Sequence, residues 1–100
     1  MTRLPVDVIC FTGSTFTGRL VAIEAAKNLV PCILELGGKC PVIIDETANL
    51  DSAINRLLNG KFLNCGQTCI GVDHVYVHES KKAIFKEKLM VKLDEFYGGP

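Results

Sequence analysis

The sequence has no tryptophan and no net charge, its eleven basic residues being balanced by eleven acidic ones. The missing positive excess argues against nucleic acid as a partner, because such proteins carry a basic footprint. No apolar run approaches the roughly 18 residues of a membrane span, so these residues hold no membrane segment. Repeats, low-complexity tracts and linkers are absent. There is no Cys-x-x-Cys pair, and His74 and His78 fall outside usual zinc-finger spacings. No metal site is therefore expected. The five cysteines, at positions 10, 32, 40, 65 and 69, form an odd and irregular set. Disulfide scaffolds in short secreted chains carry even sets, so reduced thiols in a cytoplasmic compartment fit better.

What the chain does have is apolar content: 48% of its residues are hydrophobic, enough for a core. That content argues against disorder. At 100 residues it is one small domain at most. Residues 6–11 form a short apolar run ending at Thr12-Gly13 and predict a buried strand. Residues 16–29 predict a helix, favoured by Ala22, Ala25 and Ala26, with Ser14, Thr15 or Thr17 available as caps and Pro31 as the stop. Residues 32–36 predict a second strand. Residues 41–45 predict a third, with Val42, Ile43 and Ile44 buried on both faces.

Asn49 is placed to cap a helix in which Leu50, Ala53, Ile54, Leu57 and Leu58 share one face. Residues 64–68 read as a loop or helix start leading to Cys69. Along residues 72–78, Val72, His74, Tyr76 and His78 alternate against Asp73, Val75 and Val77, as in a strand. Ser80 is placed to cap a last helix with Phe85, Leu89, Leu93 and Phe96 on one stripe and solvated lysines opposite. The order is β-α-β-β-α-β-α. Strands alternating with helices predict parallel pairing and an α/β fold.

Three segments can carry chemistry. Phe11-Thr12-Gly13-Ser14-Thr15-Phe16-Thr17-Gly18 turns a strand end into a helix. Free amides at a helix N-terminus, with the helix dipole, favour a phosphate. Gly13 and Gly18 admit close approach, and the Ser14 hydroxyl can donate to a phosphate oxygen. The segment is neither GxGxxG nor a P-loop, since Arg19-Leu20 follows Gly18. A plain strand–helix turn accounts for the same residues.

Glu35 ends an apolar strand and opens Glu35-Leu36-Gly37-Gly38-Lys39. A carboxylate there must be solvated, paired or functional. In a partly dry cleft its pKa would rise, which suits a general base. Pairing with Lys39 or Lys61 is the plainer alternative. Cys69 follows Asn64-Cys65-Gly66-Gln67-Thr68. A thiolate attacks a carbonyl well once deprotonated. Cys65 and Cys69, four positions apart, can share a helical face, which leaves open a metal pair or a redox-sensing dithiol. Cys10, Cys32 and Cys40 are expected to act as small buried hydrophobes. His74 and His78 are expected in packing or surface roles.

These three motifs, in this order, resemble the NAD(P)-dependent aldehyde dehydrogenase superfamily. The likeness runs over nearly the whole chain. It looks closest to the class 3 and fatty-aldehyde branch, partly through Glu95-Phe96-Tyr97-Gly98. The resemblance implies an aldehyde substrate oxidised to the acid with NAD or NADP. It makes Cys69 the catalytic nucleophile, passing through a thiohemiacetal and a thioester, with its amide in the oxyanion site. Glu35 becomes the catalytic base that activates water. Gly13, Ser14, Gly18 and Leu36 become cofactor contacts, Leu36 through its backbone against the nicotinamide. Residues 1–36 resemble the end of the dinucleotide-binding domain, and residues 37–100 the start of the catalytic domain. The active site of the family lies at that junction.

Three family residues find no counterpart here: the upstream Asn of the oxyanion hole, the upstream Lys on the adenosine ribose and the downstream Glu on the nicotinamide ribose. Asn64 is too near Cys69 to be the oxyanion Asn. Gly71 stands where relatives often carry Ala. Family members are several times longer, so the likeness is to a middle piece of one. A homodimer is implied for the full-length enzyme, and the resemblance leaves open a membrane anchor outside these residues. The 100 residues alone are expected to be inactive and to expose apolar surface. The alternative is a truncated, inactive product or an interaction module that pairs with a full-length dehydrogenase.

Overall fold

A computed structural model describes residues 5–98. The chain forms two compact units, one ending at Gly38 and the other starting at Lys39. The element order is the one expected, an α/β arrangement with parallel strand pairs in both units.

In the first unit, β1 (Ile9–Thr12) runs through helix α1 (Thr15–Ala26) to β2 (Cys32–Glu35). The two strands pair in parallel, with Ile9 beside Cys32 and Thr12 beside Glu35. Ser14 is the cap of α1: its Oγ accepts from the Thr17 amide at 3.1 Å. The helix stops at Ala26, short of the predicted residue 29. Leu29 takes a positive φ of 55°, while the Val30 amide returns to the Ala25 carbonyl at 3.1 Å and the Leu29 amide to Ala26 at 3.2 Å. That is a Schellman closure, with leucine in the seat glycine usually takes. Ala25 and Gly18 are the buried residues of this unit's described part. Cys10, expected to be buried, is exposed. It shares a register pair with Ile33, which is exposed as well, because α1 covers only the opposite face of the two strands.

In the second unit, β3 (Cys40–Ile44) pairs in parallel with β4 (Val72–Val77). Helix α2 (Leu50–Phe62) is capped by Asn49, whose Oδ1 accepts from the Ser52 amide at 3.0 Å. Helix α3 (Glu79–Tyr97) is capped by His78, not by Ser80: the ring nitrogen Nδ1 accepts from the Ser80 amide at 3.4 Å. The core is Ile44, Leu50, Ile54, Leu57, Leu58 and Phe85, flanked by Val42, Val75, Val77, Leu89 and Leu93. The predicted face of α2 is thus the face that packs.

Three further expectations fail in this unit. Ile43 is 77% exposed rather than buried, because both helices pack on the face that carries Val42 and Ile44. Phe96 leaves the α3 stripe and is half-exposed. The alternation of β4 also breaks. Cys40 pairs with Val72 but Pro41 with His74, so Asp73 is an extra residue. This bulge lets Val72 join Val75 and Val77 against the core, not His74 and Tyr76.

Candidate active site

Gly13, Ser14, Gly18, Glu35 and Leu36 come together in the first unit. The β1–β2 ladder ends with Thr12 beside Glu35, and the Gly13 amide extends it by donating to the Glu35 carbonyl at 3.1 Å. The chain then enters α1 at its cap, Ser14. Gly18 is buried on the first turns of α1, its amide donating to the Ser14 carbonyl at 2.8 Å. A Cβ at Gly18 would lie 2.7 Å from Cδ2 of Leu36, so glycine is what lets Leu36 pack on the helix. The place is the carboxyl end of two parallel strands, where open α/β sheets bind ligands.

The donor set there suits an anion. The amides of Thr15 and Phe16 open the helix without intrahelical acceptors, and no acidic residue lies in the first turn. Ser14 Oγ and Thr17 Oγ1 are 2.9 Å apart. Whichever hydroxyl donates across that pair, the other keeps its proton for an outside acceptor. In the sequence Thr17 stands only among the possible caps; the structure makes it the residue that the Ser14 cap holds, at the usual three-residue spacing.

Glu35 is exposed, and it forms no ion pair among the described residues. Lys39 is not its partner. Lys39 Nζ binds Asp73 Oδ1 at 3.1 Å, and the hydrogen bonds from Lys39 and His74 hold the Asp73 carboxyl below its ordinary pKa. The bulged residue is thus paired with the lysine that closes the Glu35 motif. Elsewhere in the second unit Asp45 is held below its ordinary value by the side chain and amide of Thr47.

Cys69 belongs to the second unit and is exposed. After α2 the chain makes a left-handed turn, with φ of 52° at Asn64, 56° at Cys65 and 76° at Gly66. Gly66 is needed there, because a Cβ would meet the Lys61 carbonyl oxygen at 3.2 Å and the φ is unfavourable for a side chain. The Asn64 side-chain amide donates to the Gln67 carbonyl at 3.1 Å, so it is engaged within its own loop. Cys69 then sits in a separate turn closed by the Gly71 amide on the Thr68 carbonyl at 2.9 Å. A Cβ at Gly71 would stand 3.0 Å from that same carbonyl oxygen. Cys65 and Cys69 therefore do not share a helical face, contrary to the four-residue spacing. The structure adds a different neighbour: Cys40 Sγ donates to the Cys69 carbonyl oxygen at 3.4 Å. All five thiols are free. Among the described residues, no three His, Cys, Asp or Glu side chains converge as a metal site would require.

Residues 1–100 match the aldehyde dehydrogenase family. The chain is 51% identical over 96 residues to 4,4'-diaponeurosporen-aldehyde dehydrogenase of Staphylococcus aureus, covering 96% of this chain and 21% of that protein. It is 46% identical over 92 residues to the dimeric NADP-preferring aldehyde dehydrogenase of Rattus norvegicus, covering 92% of this chain and 20% of that protein. Class 3 enzymes are thus among its relatives, as the sequence led us to expect. A substrate-bound structure of Staphylococcus aureus AldH superposes with a TM-score of 0.90 at 48% identity, over 99% of this chain and 22% of that one. The chain spans about a fifth of the length of the proteins it matches. With a family match over residues 1–100 and this structural likeness, the chain belongs to the aldehyde dehydrogenase family.

Proposed function

We propose that the polypeptide carrying these residues oxidises an aldehyde to a carboxylic acid, with Cys69 as nucleophile and Glu35 as base. The observation that carries this is the gathering of Gly13, Ser14, Gly18, Glu35 and Leu36 at one strand edge, within a chain of this family. In this reading residues 1–36 are the end of a dinucleotide-binding domain and residues 37–100 the start of a catalytic domain.

The α1 N-terminus fits a diphosphate: open amides, a paired hydroxyl set and no nearby carboxylate in the first turn. Gly13, Ser14 and Gly18 would hold it, and the Leu36 backbone would face the nicotinamide. When bound, NAD or NADP supplies the two-electron acceptor for the aldehyde carbon. The chain's own residues do the rest. The Cys69 thiolate adds to the carbonyl, and its backbone amide steadies the resulting oxyanion. Glu35, exposed and without an ion pair among the described residues, is open to take a proton from the thiol and later from the water that releases the acid.

The relatives support two further properties. One is named for 4,4'-diaponeurosporen-aldehyde, and the class 3 likeness points to aliphatic or aromatic aldehydes. Another is named as dimeric and NADP-preferring, which supports a homodimer and leaves both cofactors in play. The odd, irregular set of five cysteines supports a cytoplasmic setting. The test is aldehyde-dependent formation of reduced dinucleotide. Cys69→Ala is expected to abolish it, and Glu35→Gln to slow it by about 10²–10⁴-fold. Wild-type turnover in Cys69→Ala would overturn the assignment.

A second reading is favoured by one observation. Phe16, Leu29, Ile43 and Ile70 are 73–93% exposed, which suits a module that pairs with another dehydrogenase chain. A biological role untouched by Cys69→Ala would favour that module.

A further inference from the structure

The five thiols are not equivalent in their relation to Cys69. Cys40 touches its backbone, with Sγ 3.4 Å from the Cys69 carbonyl oxygen. No other cysteine hydrogen-bonds to Cys69 among the described residues. From that oxygen the Cys69 sulfur is only four covalent bonds away, so rotation about its χ1 governs the gap between the sulfurs. Both ends are fixed by structure. Cys40 is the first residue of β3 and pairs with Val72 at the start of β4. Cys69 lies in the hydrogen-bonded turn that leads directly into β4. Cys40 is half-buried and Cys69 exposed, so an oxidant reaches Cys69 first. Cys65, the partner suggested by sequence spacing, sits in the left-handed turn on the far side of Gln67 and Thr68.

We propose that Cys40 is the resolving thiol for Cys69, closing a reversible disulfide when Cys69 meets a hydroperoxide. In the first step the Cys69 thiolate attacks one peroxide oxygen. An S–O bond forms, the O–O bond breaks, sulfur loses two electrons, and the peroxide leaves as water or alcohol once protonated. In the second step the Cys40 thiolate attacks the sulfenic sulfur. The S–S bond forms, the S–OH bond breaks, and the hydroxide takes a proton to leave as water. A thiol reductant restores both cysteines. The outcome holds Cys69 at a recoverable stage and keeps it from the sulfinic acid, which thiols do not reverse. The proposal goes beyond the aldehyde chemistry and needs only a reactive thiol at Cys69.

The test treats the reduced protein with a modest excess of hydrogen peroxide, blocks remaining thiols with N-ethylmaleimide and maps peptides without reduction. The expected main product is a Cys40–Cys69 linked peptide that dithiothreitol removes, with Cys10 still alkylated. In Cys40→Ser, which keeps a donor for the Cys69 carbonyl, the link is lost and Cys69 accumulates sulfinic acid. A dominant Cys65–Cys69 link would overturn the proposal. So would over-oxidation of Cys69 at the same rate in the wild-type protein and in Cys40→Ser. If Cys40→Ser does not fold, the wild-type peptide map decides alone. Absence of aldehyde oxidation in the reduced protein would count against the functional reading and leave this one standing.

Discussion

The two units are built from the same kinds of element but held in different ways. The second has six buried apolar side chains from β3, α2 and α3 in one cluster. The first has two buried residues in its described part, an alanine and a glycine, while Phe16, Leu20, Ile23 and Ile33 are each at least 49% exposed. Its geometry rests instead on a parallel ladder, a serine cap and one glycine–leucine contact. The unit with the phosphate-type turn is therefore the one with the least apolar packing. Its site is kept in shape by backbone hydrogen bonds, which resist small distortions but add little stability each.

If that contrast is right, core truncation should hurt most in the second unit. Ile54 is fully buried, and Ile54→Ala is expected to cost about 2–5 kcal/mol, read as a shift in urea midpoint. A loss below the low end would mean that the cluster is not the core. Gly18→Val tests the first unit. It pushes a branched side chain into Leu36, already 2.7 Å from a bare Cβ, for an expected cost of about 1–3 kcal/mol. Dinucleotide affinity, measured by titration calorimetry, is expected to fall with it while the second unit keeps its amide protection. Ser14→Ala removes the α1 cap and is expected to cost about 1 kcal/mol.

A substitution in the opposite direction sharpens the comparison. Leu29 holds a positive φ of 55° and is 93% exposed, so it strains the backbone without packing. Leu29→Gly is expected to stabilise the first unit by up to about 1 kcal/mol, seen as slower amide exchange at the end of α1. The smallest effect concerns pH. Asp73 and Asp45 both have folded pKa values below the ordinary 3.8. Their contribution is thus complete above that value and is lost as pH falls through the lower folded values. Acid unfolding below pH 3.8 should be less steep in Asp73→Asn, with no change at neutral pH beyond the loss of the Lys39 and His74 contacts.

Local patterns carried much of this fold into view. The α2 face was legible because Leu50, Ile54, Leu57 and Leu58 repeat at helical spacing and all meet the core. The strand-to-helix turn at Gly13 and Ser14 was legible because its cap lies within one short segment, whereas the contacts of Gly13 with Glu35 and of Gly18 with Leu36 cross to the next strand. Features set by distant partners were not. The Asp73 bulge depends on the register against β3, so the apparent alternation from Val72 misassigned a face. Ile43 reads as core until the helices choose a side. Cys65 looked like a helical neighbour of Cys69 because the left-handed turn between them leaves no trace in residue spacing. Cys40 reads in the sequence as one more buried thiol because its contact with Cys69 crosses 29 positions.

The most direct test of the account is to find where the substrate carbon goes. The polypeptide carrying Glu35→Gln would be incubated with an aldehyde and NAD or NADP, quenched in acid and mapped by mass spectrometry. The account predicts an acyl adduct on Cys69, accumulating because the water-activating carboxylate is gone, and no such adduct in the Glu35→Gln, Cys69→Ala double variant. An adduct on another cysteine, or dinucleotide reduction with Cys69 unmodified throughout, would contradict it.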